Sequence, residues 1–361
     1  MSGDAAPRPA EGDAPADIMP GVQYSVSSGF LDILNKLDVA VAVTSYQSGQ
    51  VYLLGRNPRG GLMVNHQVFP KAMGLAPVED GFLLATAHQI HRFQNVLKPN
   101  QRAQEVFDKC YVPRQSFHTG ALDAHDVGLG ADGLPVFVNT RFNCLAVPDA
   151  IHSFKEVWRP PFVSALIDED RCHLNGMAMN EAAAPAYVTA VSRSDTVDGW
   201  RDRRGSGGVV VDVADNSVVV EGLSMPHSPR LHQGRLWVLD SGEGRLGWID
   251  PSASDPVFTP LCFCPGFARG LALTDRYAFV GLSKPRYHRF EGLGLDRRLE
   301  ETDSAPWCGL QVIDLEAGSV AAWFRIDGKT SELYDVALLP GAGCAMMLSD
   351  TSPELGSLVT W

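Results

Sequence analysis

Short apolar runs separated by turn residues dominate the chain after residue 38. The first three runs are 39–46, 50–54 and 64–69, and a second group follows at once at 73–76, 81–86, 89–93 and 104–107. These runs are rich in β-branched and aromatic residues, which is typical of strands, and Gly- or Pro-containing turns separate them. The pattern predicts consecutive four-stranded antiparallel meanders.

The same unit recurs along the rest of the chain. Its first strand is predicted to start near each of six residues: Met73, His125, Asn175, His227, Arg269 and Tyr334. A recurring four-stranded unit of irregular length is the signature of a β-propeller. We therefore predict an all-β protein with a single β-propeller domain at residues 21–361, built of four-stranded antiparallel blades.

The number of blades depends on how the chain ends are used. The three N-terminal strands either form a further blade with residues 22–28 or close the ring with C-terminal strands near 345–349 and 357–361. Pairing of the two chain ends would remove open sheet edges. Seven blades are the preferred prediction and six are the alternative.

Two N-terminal segments differ from this pattern. Residues 1–20 are rich in Ala, Pro, Asp and Gly and contain no aromatic residue, so we predict a flexible tail. Residues 30–37 (FLDILNKL) have the apolar spacing of a short amphipathic helix or a distorted strand.

Composition narrows the class of protein. The formal net charge of −12 over 361 residues argues against a nucleic-acid partner. Seven cysteines without a CxxC pair predict reduced, mostly buried thiols. No apolar run approaches the roughly 18 residues of a membrane helix, and no signal sequence is evident, so we expect no membrane partner and a cytoplasmic protein.

The chain resembles an uncharacterised bacterial family known as domain of unknown function 4915. The resemblance extends from about residue 24 to the C-terminus and is carried by the segments 43–47 (VTSYQ), 158–162 (WRPPF), 172–176 (CHLNG), 222–229 (GLSMPHSP), 281–286 (GLSKPR) and 333–336 (LYDV). It implies a propeller-like protein and no assigned reaction, so the chemistry must be argued from the residues.

Long connections are predicted to cover one face of the propeller. Segments 108–122 and 159–172 join one blade to the next, whereas 191–207 and 283–307 lie between second and third strands, which places all four on the same face. Long loops on a rigid scaffold commonly carry binding sites. The first strands also begin on this face, so we predict an axial mouth.

Three histidines are predicted to meet at this mouth. His125 and His227 occupy equivalent positions of first strands, and His173 lies two residues before the equivalent Asn175. Imidazoles from three blades suit a divalent transition metal such as zinc, manganese, iron or copper. Tyr334, Glu332 and Asp123 are the candidate acid/base residues. The alternative is that these histidines cap backbone groups or hold an axial water.

Basic residues near the mouth favour an anionic ligand. We predict Arg269, Lys284 and Arg159 as substrate-binding residues, because guanidinium and ammonium groups bind carboxylate or phosphate. Asn175 and His118 complete this set, and His118 is also a reserve metal ligand or acid/base residue.

These observations lead to two functional hypotheses. The first is a metal-dependent hydrolase or lyase that acts on a small, anionic molecule, with His125, His173 and His227 as metal ligands. The alternative is a metal-free ligand-binding or scaffold propeller that recognises a glycan or a peptide. Substrate, metal identity and oligomeric state stay open at this level.

Overall fold

The described strands form six sheets around a common axis, and the four blade strands of each sheet are antiparallel. The structure is a computed structural model and describes residues 22–285 and 290–360; the predicted flexible tail lies outside this range. In the described residues, the innermost strands of the sheets contact one another in a closed ring. The protein is therefore a six-bladed β-propeller, which is the alternative offered by the sequence, and the preference for seven blades is not confirmed.

Blade 1 shows why the ring has six members. Its strands, from the axis outwards, are Val336–Pro340, Val39–Ser45, Gln50–Arg56 and Leu62–Val68. The C-terminal strand pairs antiparallel with the first N-terminal strand, with Val336 opposite Val43 and Pro340 opposite Val39. The run that starts at Tyr334 and the three N-terminal strands, which the sequence pattern treats as separate units, thus belong to one blade.

Blades 2 to 6 follow in chain order, each starting at the axis. Blade 2 contains Leu75–Val78, Gly81–Ala85, Gln89–Asn95 and Lys109–His118, and blade 3 contains Ala124–Leu129, Pro135–Asn139, Cys144–Val147 and Lys155–Trp158. Blade 4 contains Leu174–Met179, Pro185–Ala190, Gly208–Asp212 and Val218–Leu223. Blade 5 contains Pro226–His232, Arg235–Asp240, Arg245–Ile249 and Thr259–Phe263, and blade 6 contains Phe267–Leu273, Tyr277–Ser283, Gly309–Asp314 and Ser319–Asp327.

Two further strands cover outer edges. Gln23–Val26 pairs antiparallel with the outer strand of blade 6, and Ala345–Met347 pairs parallel with the outer strand of blade 2. Both additions protect edges that would otherwise expose unpaired backbone groups. The predicted strands at 104–107 and 357–361 are not found in the described residues, and the segment 108–122, predicted as a loop, contains the outer strand Lys109–His118.

Helices are few and short. The helix α1 (Phe30–Leu37) confirms the helical alternative for this segment, and it buries Phe30, Ile33 and Leu34 against blades 1 and 6. The helix α2 (Gly294–Glu301) lies in the insertion of blade 6, and three-residue or four-residue 3-10 turns occur at Arg201–Arg203, Ser241–Glu243 and Pro353–Gly356. Neither helix is long or apolar enough to cross a membrane.

A buried ionic cluster lies near the axis. The guanidinium of Arg230, on blade 5, donates to Asp126 of blade 3 at 2.8 Å and to Asp335 of blade 1 at 3.4 Å. The two carboxylates are almost fully buried, with 5% and 4% of their side chains exposed. Burial and the neighbouring Asp126 carboxylate raise the pKa of Asp335 to about 7, and Arg230 opposes that shift.

The same carboxylates connect neighbouring blades. Asp335 accepts the backbone N–H of Leu75 in blade 2 at 2.7 Å, and Asp126 accepts that of Met177 in blade 4 at 3.0 Å. In blade 5, the equivalent Ser228 hydroxyl accepts the N–H of Gly270 in blade 6 at 3.0 Å. Blades 1 and 2, 3 and 4, and 5 and 6 are therefore joined in pairs at one position of the inner strand.

Glycine occupies this position in the other three blades. A Cβ at Gly74 of blade 2 would lie 2.9 Å from the Cα of Asp126, and one at Gly270 of blade 6 would lie 2.7 Å from the Cα of Asp335. Gly270 also has a φ of 77°, which a side chain would strain. The absence of a side chain thus lets blade 2 approach blade 3 and blade 6 approach blade 1, which are pairs that the carboxylates do not bridge.

Arg230→Met should strongly destabilise the propeller. The substitution keeps the length of the side chain but leaves two buried carboxylates without a counter-charge, which typically costs about 3–5 kcal/mol. We expect that loss in the free energy of unfolding, measured by urea titration. Arg276→Met is the control, because Arg276 pairs with Asp314 in an exposed position, and it should leave stability nearly unchanged. Equal stability of the two variants would contradict a central role for the cluster.

Candidate functional site

A cavity of about 550 Å³ lies at the axial mouth. The inner strands of several blades begin at this mouth, and the described parts of the insertions of blades 4 and 6 (residues 191–207, and 284–285 with 290–308) pack over it through one apolar cluster that includes Trp200, Phe267, Phe290 and Leu295. Cavities of this size accommodate small molecules.

The lining residues come from matched positions of successive blades. Those at or near the start of inner strands are Met73, His125, Arg269 and Tyr334, and those two residues earlier are Lys71, Asp123, His173, Met225, Phe267 and Glu332. The structure therefore brings together His125, His173, Asp123, Glu332, Tyr334, Arg269 and Lys284, seven of the residues that the sequence marks as candidates. Asn175, His227, His118 and Arg159 do not line the cavity.

Four of these positions have a left-handed backbone. The φ angles of Lys71, Asp123, His173 and Met225, in the approach to blades 2 to 5, are 50°, 49°, 52° and 47°. Such angles are uncommon for residues other than glycine, and they cluster at binding and catalytic sites. The repeated strained turn directs one residue of each of these blades to the cavity.

His125 has one ring nitrogen that is available to accept a hydrogen bond. Its Nδ1 lies 2.8 Å from the carbonyl oxygen of Asp123 and 2.8 Å from the hydroxyl of Thr140. A carbonyl can only accept, and the Thr140 hydroxyl donates its own hydrogen to Leu174 O at 2.6 Å, so Nδ1 carries the proton. Burial, then the neighbouring His173, lowers the pKa of His125 to about 3, so this imidazole is neutral with its Nε2 lone pair available.

His173 forms a carboxylate–imidazole pair. Its Nδ1 donates to Asp170 at 2.6 Å, which leaves Nε2 as the unprotonated nitrogen in the neutral ring. The ring centroid lies 5.0 Å from that of His125 and stacks on Trp200 at 4.2 Å. A carboxylate in this position fixes the orientation of the imidazole. Asp170 was not among the candidates of the sequence analysis, although its place three residues before His173 is a detectable signal.

His227 is engaged elsewhere. Its Nδ1 donates to the carbonyl of Met225 at 2.8 Å, and its Nε2 accepts from the Asn175 amide at 3.3 Å. Thr189 fixes the orientation of that amide by donating to its oxygen at 2.8 Å. Both nitrogens of His227 are thus used, and burial keeps its pKa well below the usual range. No group of three or more His, Cys, Asp or Glu side chains within the described residues is arranged to hold a metal ion.

Arg269 has no carboxylate partner within the described part of the chain. Its guanidinium lies over the rings of Phe267 and Tyr334, at 4.9 Å and 5.3 Å from their centroids, and its buried Nε has no hydrogen-bond acceptor. The hydroxyl of Tyr334 is also buried and lacks a partner there. Burial raises the pKa of Tyr334 well above its usual value, so this hydroxyl is a hydrogen-bond donor.

The remaining candidates have partners. Asp123 is bound by Lys71 at 2.9 Å, Glu332 accepts the hydroxyl of Tyr46 at 2.9 Å, and Lys284 lies 3.5 Å from Asp327. The structure places Arg159 beside Glu156 at 3.4 Å, and His118 at the end of the outer strand of blade 2 beside Gln89. These two residues lie away from the cavity because they follow or end outer strands rather than inner ones.

Comparisons with solved structures show the propeller fold. The nidogen/laminin complex matches with a TM-score of 0.51 at 11% identity, over 84% of this chain and 99% of that one. A putative 6-phosphogluconolactonase from Bacteroides fragilis matches with a TM-score of 0.47 at 11% identity, over 86% and 99%. Virginiamycin B lyase from Staphylococcus aureus matches with a TM-score of 0.38 at 10% identity, over 72% and 96%. At such identities the likeness concerns the fold alone.

Sequence relationships identify the family. No curated protein matches the chain. The model of one family covers residues 28–348, nearly the whole length, in agreement with the resemblance noted from the motifs. The chain belongs to the family described as Domain of unknown function (DUF4915).

Proposed function

We propose that this protein is a hydrolase or lyase that acts on a small anionic molecule bound in the axial cavity. The observation that carries the proposal is the guanidinium of Arg269, which faces this cavity without a carboxylate partner among the described residues. Removing a charge from water without compensation is costly, so a counter-charge supplied by a ligand accounts for its position.

The donors around Arg269 suit an oxyanion. The Arg269 guanidinium and the Tyr334 hydroxyl are both hydrogen-bond donors. The Nε of Arg269 and the hydroxyl of Tyr334 have no acceptor among the described residues. Together they can bind a carboxylate or a phosphate and stabilise negative charge that develops on it during a reaction. Fixed donors of this kind are effective because they need no reorganisation when the charge appears.

The histidines supply the proton transfer. His173 is held by Asp170 and presents Nε2 as a general base, which could take a proton from water in hydrolysis or from carbon in an elimination. His125 stays neutral and can accept a hydrogen bond from the substrate or the water. Tyr334 is the general acid that complements the base His173. Glu332 and Asp123, the other predicted acid/base residues, are bound by Tyr46 and Lys71.

A metal-dependent version of this enzyme is the second candidate. Both His125 and His173 have Nδ1 bound to oxygen and Nε2 free, which is the usual orientation of metal-binding histidines. Zinc, manganese, iron or copper would act as a Lewis acid when bound. His227, the third predicted ligand, fits such a centre only if its bond to Asn175 breaks.

We also infer a cytoplasmic location, because all seven cysteines are free thiols.

Arg269→Met should leave the free energy of unfolding unchanged or raise it by about 1–2 kcal/mol, because it removes a partly buried charge that has no ion-pair partner among the described residues. Urea titration of the ligand-free protein provides the measurement. The matched comparison is Arg230→Met, the same substitution on the same axis, for which a loss is expected. A loss of similar size at Arg269 would show that this residue has a structural role, contrary to the proposal.

His173→Gln and Asp170→Asn should separate chemistry from binding. We expect kcat to fall by about 10²–10⁴-fold on any substrate found among anionic esters, lactones and hydroxy acids, because proton transfer is lost. KM should change only a few-fold, since Arg269 still holds the anion. Saturable anion binding by the wild-type protein with no turnover of any compound class would instead support the metal-free binding alternative.

Elemental analysis of the purified protein tests the metal centre. If a metal is bound, His173→Gln should remove it, whereas His227→Gln should retain it because both nitrogens of His227 already have partners. Stoichiometric metal in wild type and His173→Gln alike would exclude His173 as a ligand. Loss of metal in His227→Gln would restore the three-histidine arrangement.

A further inference from the structure

Most charges that line the axial cavity are paired. Five of the described lining residues are cationic: Lys71, Arg201, Arg204, Arg269 and Lys284. Three of them have carboxylates within 4 Å, namely Asp123 for Lys71, Asp198 for Arg201 and Asp327 for Lys284. Arg204 and Arg269 have no ion pair with any described residue. Among the described lining residues, two guanidinium groups thus have no ion-pair partner.

The two guanidinium groups belong to different parts of the cavity. Arg269 is on the inner strand of blade 6, next to Tyr334 at the start of blade 1. Arg204 is on the insertion of blade 4, and its Nη2 lies beside Gly292 in the insertion of blade 6. Its Nε is bound to the carbonyl of Arg201 at 3.0 Å, which orients the side chain and leaves the terminal nitrogens available.

Each guanidinium has a second donor close by in the fold. Near Arg269 this is the Tyr334 hydroxyl, and near Arg204 it is the indole N–H of Trp200. Trp200 is 7% exposed, lines the cavity, and its Nε1 finds no acceptor among the described residues. An indole nitrogen can only donate, so its partner must be an acceptor such as an oxyanion.

The imidazoles lie between the two donor pairs. The ring of Tyr334 is 5.6 Å from His125, His125 is 5.0 Å from His173, and His173 is 4.2 Å from Trp200, all between centroids. A molecule held at both donor pairs would therefore pass the two free Nε2 atoms. Its reacting bond would lie beside the proposed base.

We propose that the substrate carries two oxyanion groups, as a dicarboxylate or a carboxylate with a phosphate. One group binds Arg269 and Tyr334, and the other binds Arg204 and Trp200. This inference rests on the proposed function and adds the substrate class, with Arg204 and Trp200 as specificity-determining residues. Charge-assisted bonds to a second guanidinium provide the added affinity.

Calorimetric titration with matched anions tests the inference. The dicarboxylate probes are succinate, glutarate and adipate, each compared with the monocarboxylate of the same carbon number. The probe with a carboxylate and a phosphate is 2-phosphoglycerate. We expect the wild-type protein to bind the best dianion at least about tenfold more tightly than its monoanion partner. Tightest binding of one of the three dicarboxylates would assign a dicarboxylate substrate. Tightest binding of 2-phosphoglycerate would assign a substrate with a carboxylate and a phosphate.

The variants assign each end of the ligand. Arg204→Gln should reduce the affinity for the dianion to that for the monoanion and leave monoanion binding unchanged. Trp200→Phe keeps an aromatic ring on His173 but removes the N–H, so it should reduce the dianion preference in the same way. Arg269→Gln should weaken both probes. Arg193→Gln is the control, because Arg193 is on the same insertion but does not line the cavity, is exposed and pairs with Glu221, and it should preserve the preference.

Different failures have different meanings. Equal affinity of wild type for dianion and monoanion, or equal weakening of both probes by Arg204→Gln, would overturn the two-anion inference while leaving the role of Arg269 intact. Retention of the full dianion preference in both Arg204→Gln and Trp200→Phe would overturn it as well. If no anion of either kind bound the wild-type protein, the two-anion inference and the proposed function would both fail.

Discussion

The shared guanidinium of Arg230 is the interaction on which the ring depends. It connects a carboxylate of blade 1 and a carboxylate of blade 3 to blade 5, and each of those carboxylates also binds a backbone N–H of the following blade. Since Ser228 makes the equivalent bond from blade 5 to blade 6, all six blades are connected at one level of the axis. At this level, blades 1, 3 and 5 each carry a side chain that bridges to the following blade, and blades 2, 4 and 6 each carry a glycine. The glycines are required because a Cβ at Gly74 or Gly270 would lie under 3 Å from the backbone of the next blade, and one at Gly176 would lie 2.4 Å from Cδ of Pro229.

The functional site uses the alternate positions of the same strands. Successive residues of a strand point in opposite directions, so Asp126 bridges the blades whereas His125 faces the cavity, and Asp335 bridges whereas Tyr334 faces the cavity. Inter-blade bonds also fix the chemistry directly, because Thr140 donates to the carbonyl of Leu174 in blade 4 and thereby can only accept from His125. The tautomer of a candidate catalytic residue is therefore set by the contact between two blades. The insertions of blades 4 and 6 then contribute Trp200, Arg204 and Phe290 above this rigid ring.

The sequence could predict the repeated unit but not how the chain closes it. The first strands near 73, 125, 175, 227, 269 and 334 have local signals, because apolar runs and turns define them. Pairing of Val336–Pro340 with Val39–Ser45 has no local signal, since it joins the two ends of the chain, and this is why seven blades were preferred. The convergence of His125 and His173 followed from strand periodicity. The bond between His227 and Asn175 did not, because a hydrogen bond across two blades depends on side-chain orientation. The alternation of Gly74, Asp126, Gly176, Ser228, Gly270 and Asp335 was visible one residue beyond the aligned positions, and it would have predicted the bridges.

The contrast between Arg230 and the two cavity arginines separates structure from function. The chain has 42 acidic residues and only 30 Lys and Arg residues, so carboxylates are abundant. Arg230 has two carboxylate partners, and Lys71, Arg201 and Lys284, the other described cations that line the mouth, each have one. A guanidinium that lacks a partner in so acidic a protein is not explained by a shortage of anions. Because an uncompensated charge destabilises the folded state, the positions of Arg269 and Arg204 are best explained by negative charge that arrives with a ligand. The two groups line one cavity from different blades, and His125 and His173 line the same cavity, so the proposed ligand would lie beside these imidazoles.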